Sequence, residues 1–184
     1  MSLFKKFSRE EISSSSQVKA SVARGIRSGV CEQYPWLEET GVIDVLIPKK
    51  EPVVLGKMGF VQVAFVNNVP LFFQERDCPW CPTLRVLHQY PDMMPKLRVD
   101  KGAIKFVLSG AHIMCPGLTS PGATLHAELD AGAAVAIYAE GKEHAMAIGV
   151  TKMSTADMRE INKGVAVDNL HQLADGLWRS PVLI

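Results

Sequence analysis

Two prolines bracket the pentapeptide "PDMMP" at 91–95, and the hydrophobic pattern changes across it. Proline fixes φ and offers no N–H, so neither a helix interior nor a central strand runs through such a stretch. A chain of 184 residues cut there is expected to sort its apolar residues into two small packed units, 1–94 and 95–184. On both sides the apolar runs are short and separated by Gly, Pro and Asn turns, with a few amphipathic stretches between them. That mixture predicts an α+β protein: an N-terminal mixed α/β domain, then a barrel-like series of strands.

Composition narrows the class. Hydrophobic residues make up 47% and charged residues 21%, which suits a packed protein and excludes a disordered one. The net charge of +1 gives no global field for nucleic acid. The total conceals local segments, however. Residues 1–31 carry six basic and two acidic side chains, and residues 96–105 carry four and one. From 106 onward there are five basic and eight acidic residues. The start, "MSLFKKFSREEISSSS", has no apolar signal core, and "AGAAVAIYA" at 131–139 is too short to cross a bilayer. A cytoplasmic protein without membrane contact is expected, its four cysteines reduced.

In the first half a helix is expected over about 16–34, capped by the serine run at 13–16 and ended by Pro35. Val18, Val22, Ile26 and Val30 recur at i+4 as its apolar stripe. Gly25 and Gly29 weaken that helix by about 1 kcal/mol each relative to Ala, which implies close packing there. "GVIDVLIP", "PVVLGKM", "FVQVAFV" and "VPLFFQE" read as strands, with a basic turn at Lys49-Lys50 and a hairpin at Asn67-Asn68. "TLRVLHQY" reads as a short helix capped by Thr83.

In the second half, residues 101–108 suit a short helix stopped by Gly110. "AHIM" reads as a strand and "CPGLTSPGA" as a turn-rich loop. "AAVAIYAE" and "HAMAIGVT" form strands about a Gly141-Lys142 turn. Ser154 caps "STADMREIN", and "GVAVDNLHQL" with "GLWRS" closes the barrel-like series. No repeat of fixed period is present.

Cys78-Pro79-Trp80-Cys81 is the one sequence motif with catalytic spelling. Three readings compete: a thiol oxidoreductase, half of a zinc site, or two small side chains packed in a loop. A redox pair belongs after the first strand of a βαβ unit, whereas this one follows a run of β hairpins in mid-chain. A structural zinc site needs four ligands, and Cys31 and Cys115 are isolated in sequence. His88, His112, His126, His144 and His171 lack ligand spacing and are assigned structural or surface roles. No G-x-S-x-G or phosphate-loop pattern occurs, so no catalytic residue, metal or cofactor is expected.

The segment "VDKGAIKFVLSGAHIMCPGLTSPGA", followed in order by "AEGKEHAMAIGVTKMS" and "NKGVAVDNLHQLADGLW", resembles the PUA domain, an RNA-binding module. Together with "FKKF", "LIPKKEPV", "LFFQERD", "PTLRVLHQYP" and "DGLW", nearly the whole chain resembles the malignant T-cell amplified sequence family. That resemblance implies an N-terminal pre-PUA domain followed by a C-terminal PUA pseudo-barrel. It also implies a translation factor that binds the small ribosomal subunit and pairs with density-regulated protein. Such a factor promotes re-initiation and post-termination recycling, with tRNA and ribosomal RNA as its nucleic-acid partners. Ligatin, a related protein, carries both halves in one chain; here the initiation-factor-like half is expected from the separate partner. The cysteine pair is not part of what defines the family.

The residues expected to meet RNA are Lys96, Arg98, Lys101, Gly102, Lys105, Gly110, Pro116 and Gly117. Lys101 and Lys105 are i, i+4 on one helix face, and the glycines and the "CPGL" loop permit close backbone approach. Lys5, Lys6, Arg24, Arg27, Lys49 and Lys50 are expected to contact the partner or the ribosome. Ser120-Pro121 has the spelling of a proline-directed phosphorylation site, but an ordinary turn is the preferred reading. A PUA-containing RNA-modification enzyme is the alternative of a different class, and a thiol oxidoreductase a third.

Overall fold

The computed structural model describes residues 2–183; Met1 and Ile184, the outermost positions of the two expected domains, lie outside them. Two antiparallel-rich sheets pack side by side. The first has the order β1-β2-β3-β4-β5, from β1 (Ser14–Gln17), β2 (Val53–Met58), β3 (Val61–Val66), β4 (Val69–Glu75) and β5 (Cys81–Pro82). Its helices are α1 (Ala20–Gln33), α2 (Pro35–Glu39), α3 (Val42–Leu46) and α4 (Leu84–Gln89). Asn67 and Asn68, at φ of 51° and 64°, turn β3 into β4, as the hairpin signal predicts. The Thr83 hydroxyl accepts the Val86 N–H and caps α4.

The second sheet is built from β6 (Lys96–Val99), β7 (Ile113–Met114), β8 (Thr124–Leu125), β9 (Ala134–Ala139), β10 (Ala147–Thr151) and β11 (Val165–Gln172). Their order is β7-β11-β10-β9-β6-β8, with β6 parallel to β9 and Leu97 opposite Ile137. A 3-10 turn, Lys101–Ala103, runs into α5 (Ile104–Leu108), and α6 (Cys115–Thr119), α7 (Thr155–Ile161) and α8 (Gly176–Arg179) complete the chain. Ser154 caps α7 through the Asp157 N–H at 3.1 Å.

Several expectations are corrected. The serine run does not cap α1; it is the edge strand β1, paired with β2, and the helix begins only at Ala20. Val22 on the expected stripe is exposed, while Ile26 and Val30 are buried, and Gly25 has open space around it. The β-branched run "VIDVL" is helix α3 rather than a strand, because Arg27 reaches across from α1 and donates to the Ile47 carbonyl at 2.5 Å. Arg27 also pairs with Asp44 in the same helix. "CPGLT" is helix α6 with Pro116 in its first turn, and "GLWR" is helix α8, capped by Asp175, rather than a strand.

The core of the first sheet reaches into the second. Phe4, Phe72, Phe73 and Leu87 cluster with Ile148, Leu170 and Leu177. A second cluster, around Leu97, Ile137, Val107 and Met158, fills the curl of the second sheet. The seam contains buried polar groups. The Asp175 carboxylate accepts from His171 Nδ1 at 2.7 Å, from the Gln172 N–H at 3.0 Å and from the Trp178 N–H at 2.8 Å. His171 lies edge-on to Phe4 and Phe73, each ring centroid 5.8 Å away. Phe4 reaches this seam because its carbonyl accepts the Gly176 N–H at 2.7 Å.

Candidate RNA-binding interface

The local chemistry of the 96–105 segment begins at Asp100. Its Oδ1 accepts the Ala103 N–H at 2.9 Å and starts the 3-10 turn, while the Ser120 hydroxyl donates to its Oδ2. The Asp100 N–H donates to the Gly117 carbonyl at 3.1 Å, which ties the turn to α6. The Glu140 carboxylate accepts the Lys101 N–H at 3.1 Å. The turn is thus held from three sides, and Lys101, Gly102 and Lys105 remain exposed on its outer face. Among the described residues neither Lys101 nor Lys105 has an ion-pair partner.

Exposed apolar groups follow these cations along the chain. Phe106 is 56% exposed and Met114 48%, and Leu108 is also exposed. The Lys105 ammonium lies 5.0 Å from the centre of the Phe106 ring. An exposed aromatic ring beside free ammonium groups combines a stacking surface for a base with neutralisation of phosphates. Lys163 lies near Met114: its carbonyl accepts from the Cys115 thiol, and Met114 is paired with Val165 on β11. Sequence reasoning passed over Phe106, Met114 and Lys163. Phe106 and Leu108 flank the buried Val107 on this short helix, a pattern that could have marked them as outward-facing.

The other expected contacts have different surroundings. Arg98 is half-buried and its Nη2 donates to the Thr124 hydroxyl at 2.8 Å, joining β6 to β8. Lys96 pairs with Asp92 at 3.4 Å and lies 5.4 Å from the Tyr138 ring centre. Gly110, at φ of 90°, is buried, and a Cβ there would come within 2.9 Å of Ser2. Pro116 is exposed and Gly117 half-buried on α6, a helix where an open loop was expected. Lys5 and Lys6 project outward between the buried Phe4 and Phe7. Arg24, Arg27, Lys49 and Lys50, far apart in sequence, line one groove between α1 and the 47–53 segment.

The cysteines do not assemble a site. All four are free thiols, and among the described residues no three metal-ligating side chains cluster. Cys81 is wholly buried in β5, with Thr83 between it and α4, so it receives nothing from that helix's N-terminus. Burial pushes its thiol far above the ordinary value, and burial likewise raises Cys78. Both shifts disfavour the thiolate that exchange chemistry needs. Of the histidines, His88 and His144 pair with ring centroids 5.3 Å apart, while His112 Nδ1 accepts the Asn169 N–H at 3.0 Å and His88 Nε2 lies 2.7 Å from the Ala145 carbonyl. Among the described residues no helix is long and apolar enough to cross a membrane.

Residues 7–91 match the model of the Pre-PUA-like domain and residues 95–173 that of the PUA domain. The chain is 49% identical to malignant T-cell-amplified sequence 1-A of Xenopus laevis, over 96% of this chain and 97% of the relative. It is 50% identical to the human malignant T-cell-amplified sequence 2, again over 96% and 97%. The chain belongs to the malignant T-cell-amplified sequence family. The Dictyostelium discoideum homologue in this family is 49% identical over 98% of this chain and all of the relative. A hypothetical protein of the archaeon Pyrococcus horikoshii shares the fold, at a TM-score of 0.70 and 22% identity, over 91% of this chain and 99% of that one. The family assignment and the α+β architecture with its PUA domain agree with the sequence reading.

Proposed function

We propose that this protein is a non-catalytic, cytoplasmic translation factor. It binds the small ribosomal subunit, with tRNA or ribosomal RNA, through the exposed face of α5. With density-regulated protein as its partner it promotes re-initiation and post-termination recycling. The relationship to the malignant T-cell-amplified sequence family along nearly the whole chain carries this reading. The surface chemistry supports it. Lys101 and Lys105 release counterions on meeting phosphates, and Phe106 offers a ring to an unstacked base. In this reading Lys96, Arg98, Gly102, Gly110, Pro116 and Gly117 complete the RNA-binding set. Lys5, Lys6, Arg24, Arg27, Lys49 and Lys50 serve partner or subunit contact. The functional division falls at 94/95, RNA binding lying on the C-terminal side.

Co-sedimentation with purified small ribosomal subunits, with and without density-regulated protein, across a salt series tests this. Salt-sensitive binding enhanced by the partner is expected. No binding in either condition, at any salt, would overturn the proposal.

A further inference from the structure

The groove between α1 and the 47–53 segment combines three properties. It has a volume of about 680 Å³ and an aliphatic floor that includes Val18, Ala23, Ile47 and Val53. Its rim carries Arg24, Lys49 and Lys50, none with an ion-pair partner among the described residues, against one carboxylate, Glu51. Arg27 is different: its guanidinium is committed to Asp44 and to the Ile43 and Ile47 carbonyls, so it fixes the width of the groove. Among the described residues no aromatic side chain lines it.

A free sheet edge ends in this groove. The Val18 N–H donates to the Val53 carbonyl at 2.9 Å, and the β1–β2 register runs Gln17 opposite Val54 and Ser16 opposite Leu55. Antiparallel ladders alternate, so Ser16 faces β2 while Ser15 and Gln17 direct their N–H and C=O groups away from it. Nothing among the described residues pairs with those outward groups, β1 being the edge of its sheet. Gln17, the last residue of that edge, lines the groove. From Ala20 to Ser28 the helical wall is about 12 Å long, which matches about four residues of extended chain.

We propose that this groove docks an extended, acidic segment of a protein partner, with aliphatic side chains on the floor and carboxylates at Arg24, Lys49 and Lys50. The outward groups at Ser15 and Gln17 extend the site by strand addition. The absence of an aromatic ring in the lining argues for peptide over RNA, because single-stranded RNA is held by stacking as well as by charge. This deepens the partner-contact role given above to Arg24, Lys49 and Lys50, and rests on that part of the reading.

The test uses the full chain, labelled with 15N, and a synthetic ten-residue peptide in which Asp and Glu alternate with Leu and Val. The comparison probes are the same peptide with Asn and Gln in place of the acids, and a uridine decamer. Amide shifts confined to 15–28 and 47–53 are expected, with affinity at least tenfold weaker for the neutral peptide. The triple variant R24E/K49E/K50E should lose the acidic peptide by a similar factor while keeping its amide spectrum elsewhere. Equal affinity for the neutral peptide, shifts outside these segments, or no shifts at millimolar peptide would overturn the proposal. Tighter binding of the uridine decamer at the same amides would also overturn it and assign the groove to RNA. Loss of subunit co-sedimentation in a wild-type chain that still takes the peptide would remove the translation reading and leave the groove standing.

Discussion

Gly176 sets the C-terminal helix α8 directly against the backbone of the N-terminal arm. A Cβ there would lie 2.5 Å from the Phe7 nitrogen and 2.8 Å from the Phe4 carbonyl oxygen, both backbone atoms with no rotamer to escape into. Gly176→Ala must therefore push the 4–7 arm off α8. The arm holds Phe4, fully buried and edge-on to Phe73 at 5.0 Å between ring centroids. Overpacking a core site costs about 1–3 kcal/mol. The Gly176 N–H bond to the Phe4 carbonyl, weakened by the same shift, contributes about 1 kcal/mol more. A loss of about 2–4 kcal/mol follows, and at about 2–4 °C per kcal/mol for a chain of this size, Tm should fall by roughly 5–15 °C. Gly25→Ala is the matched control. Nothing lies within 4 Å of a Cβ at Gly25, which sits inside α1, so the helix propensity of Ala should raise stability by about 0.5–1 kcal/mol. Thermal unfolding followed by far-ultraviolet circular dichroism, checked by urea titration, reads both variants. A Gly176→Ala protein as stable as wild type would refute the packing of the arm against α8.

Other consequences are read with simple assays. Lys101→Glu with Lys105→Glu should weaken subunit or RNA binding and lower the slope of log K against log salt by about 1.5, at about 0.7–0.9 for each phosphate no longer neutralised; an unchanged slope in a folded variant would remove this face from the interface. Asp175→Ala leaves the buried His171 Nδ1 and two backbone N–H groups without their acceptor. It should cost about 3–5 kcal/mol in urea unfolding, and a loss under about 1 kcal/mol would mean that water replaces the carboxylate. Raised thiol pKa values keep Cys78 and Cys81 protonated at neutral pH. Iodoacetamide should therefore modify native protein slowly at pH 7, faster as pH rises, and reach Cys81 only on unfolding; rapid labelling of Cys81 at pH 7 would revive the redox reading.

The features legible in the sequence are those fixed by atoms a few residues apart. Thr83 and Ser154 each cap a helix through a hydroxyl three residues from the N–H it accepts. Asn67-Asn68 reverses the chain because both residues tolerate positive φ. The family motifs of the second half and the clustering of lysines around 96–105 were likewise visible, as was the weakness of the cysteine pair.

What the sequence could not determine depends on partners distant along the chain. The 42–46 run has the β-branched composition of a strand, yet it is helical with its carbonyls held by Arg27, 16 and 20 residues earlier. The serine run has no apolar alternation, and pairing with β2, some forty residues later, makes it a strand. Arg98 and Lys101 look alike as cations three residues apart. Tertiary structure commits Arg98 to Thr124 and leaves Lys101 facing solvent, and it gathers Arg24, Lys49 and Lys50 around one groove. Local sterics and short-range hydrogen bonds are written into neighbouring residues and so determine caps and turns. Exposure, charge pairing and the meeting of distant cations arise only when the chain closes on itself, because burial and desolvation depend on every element packed nearby.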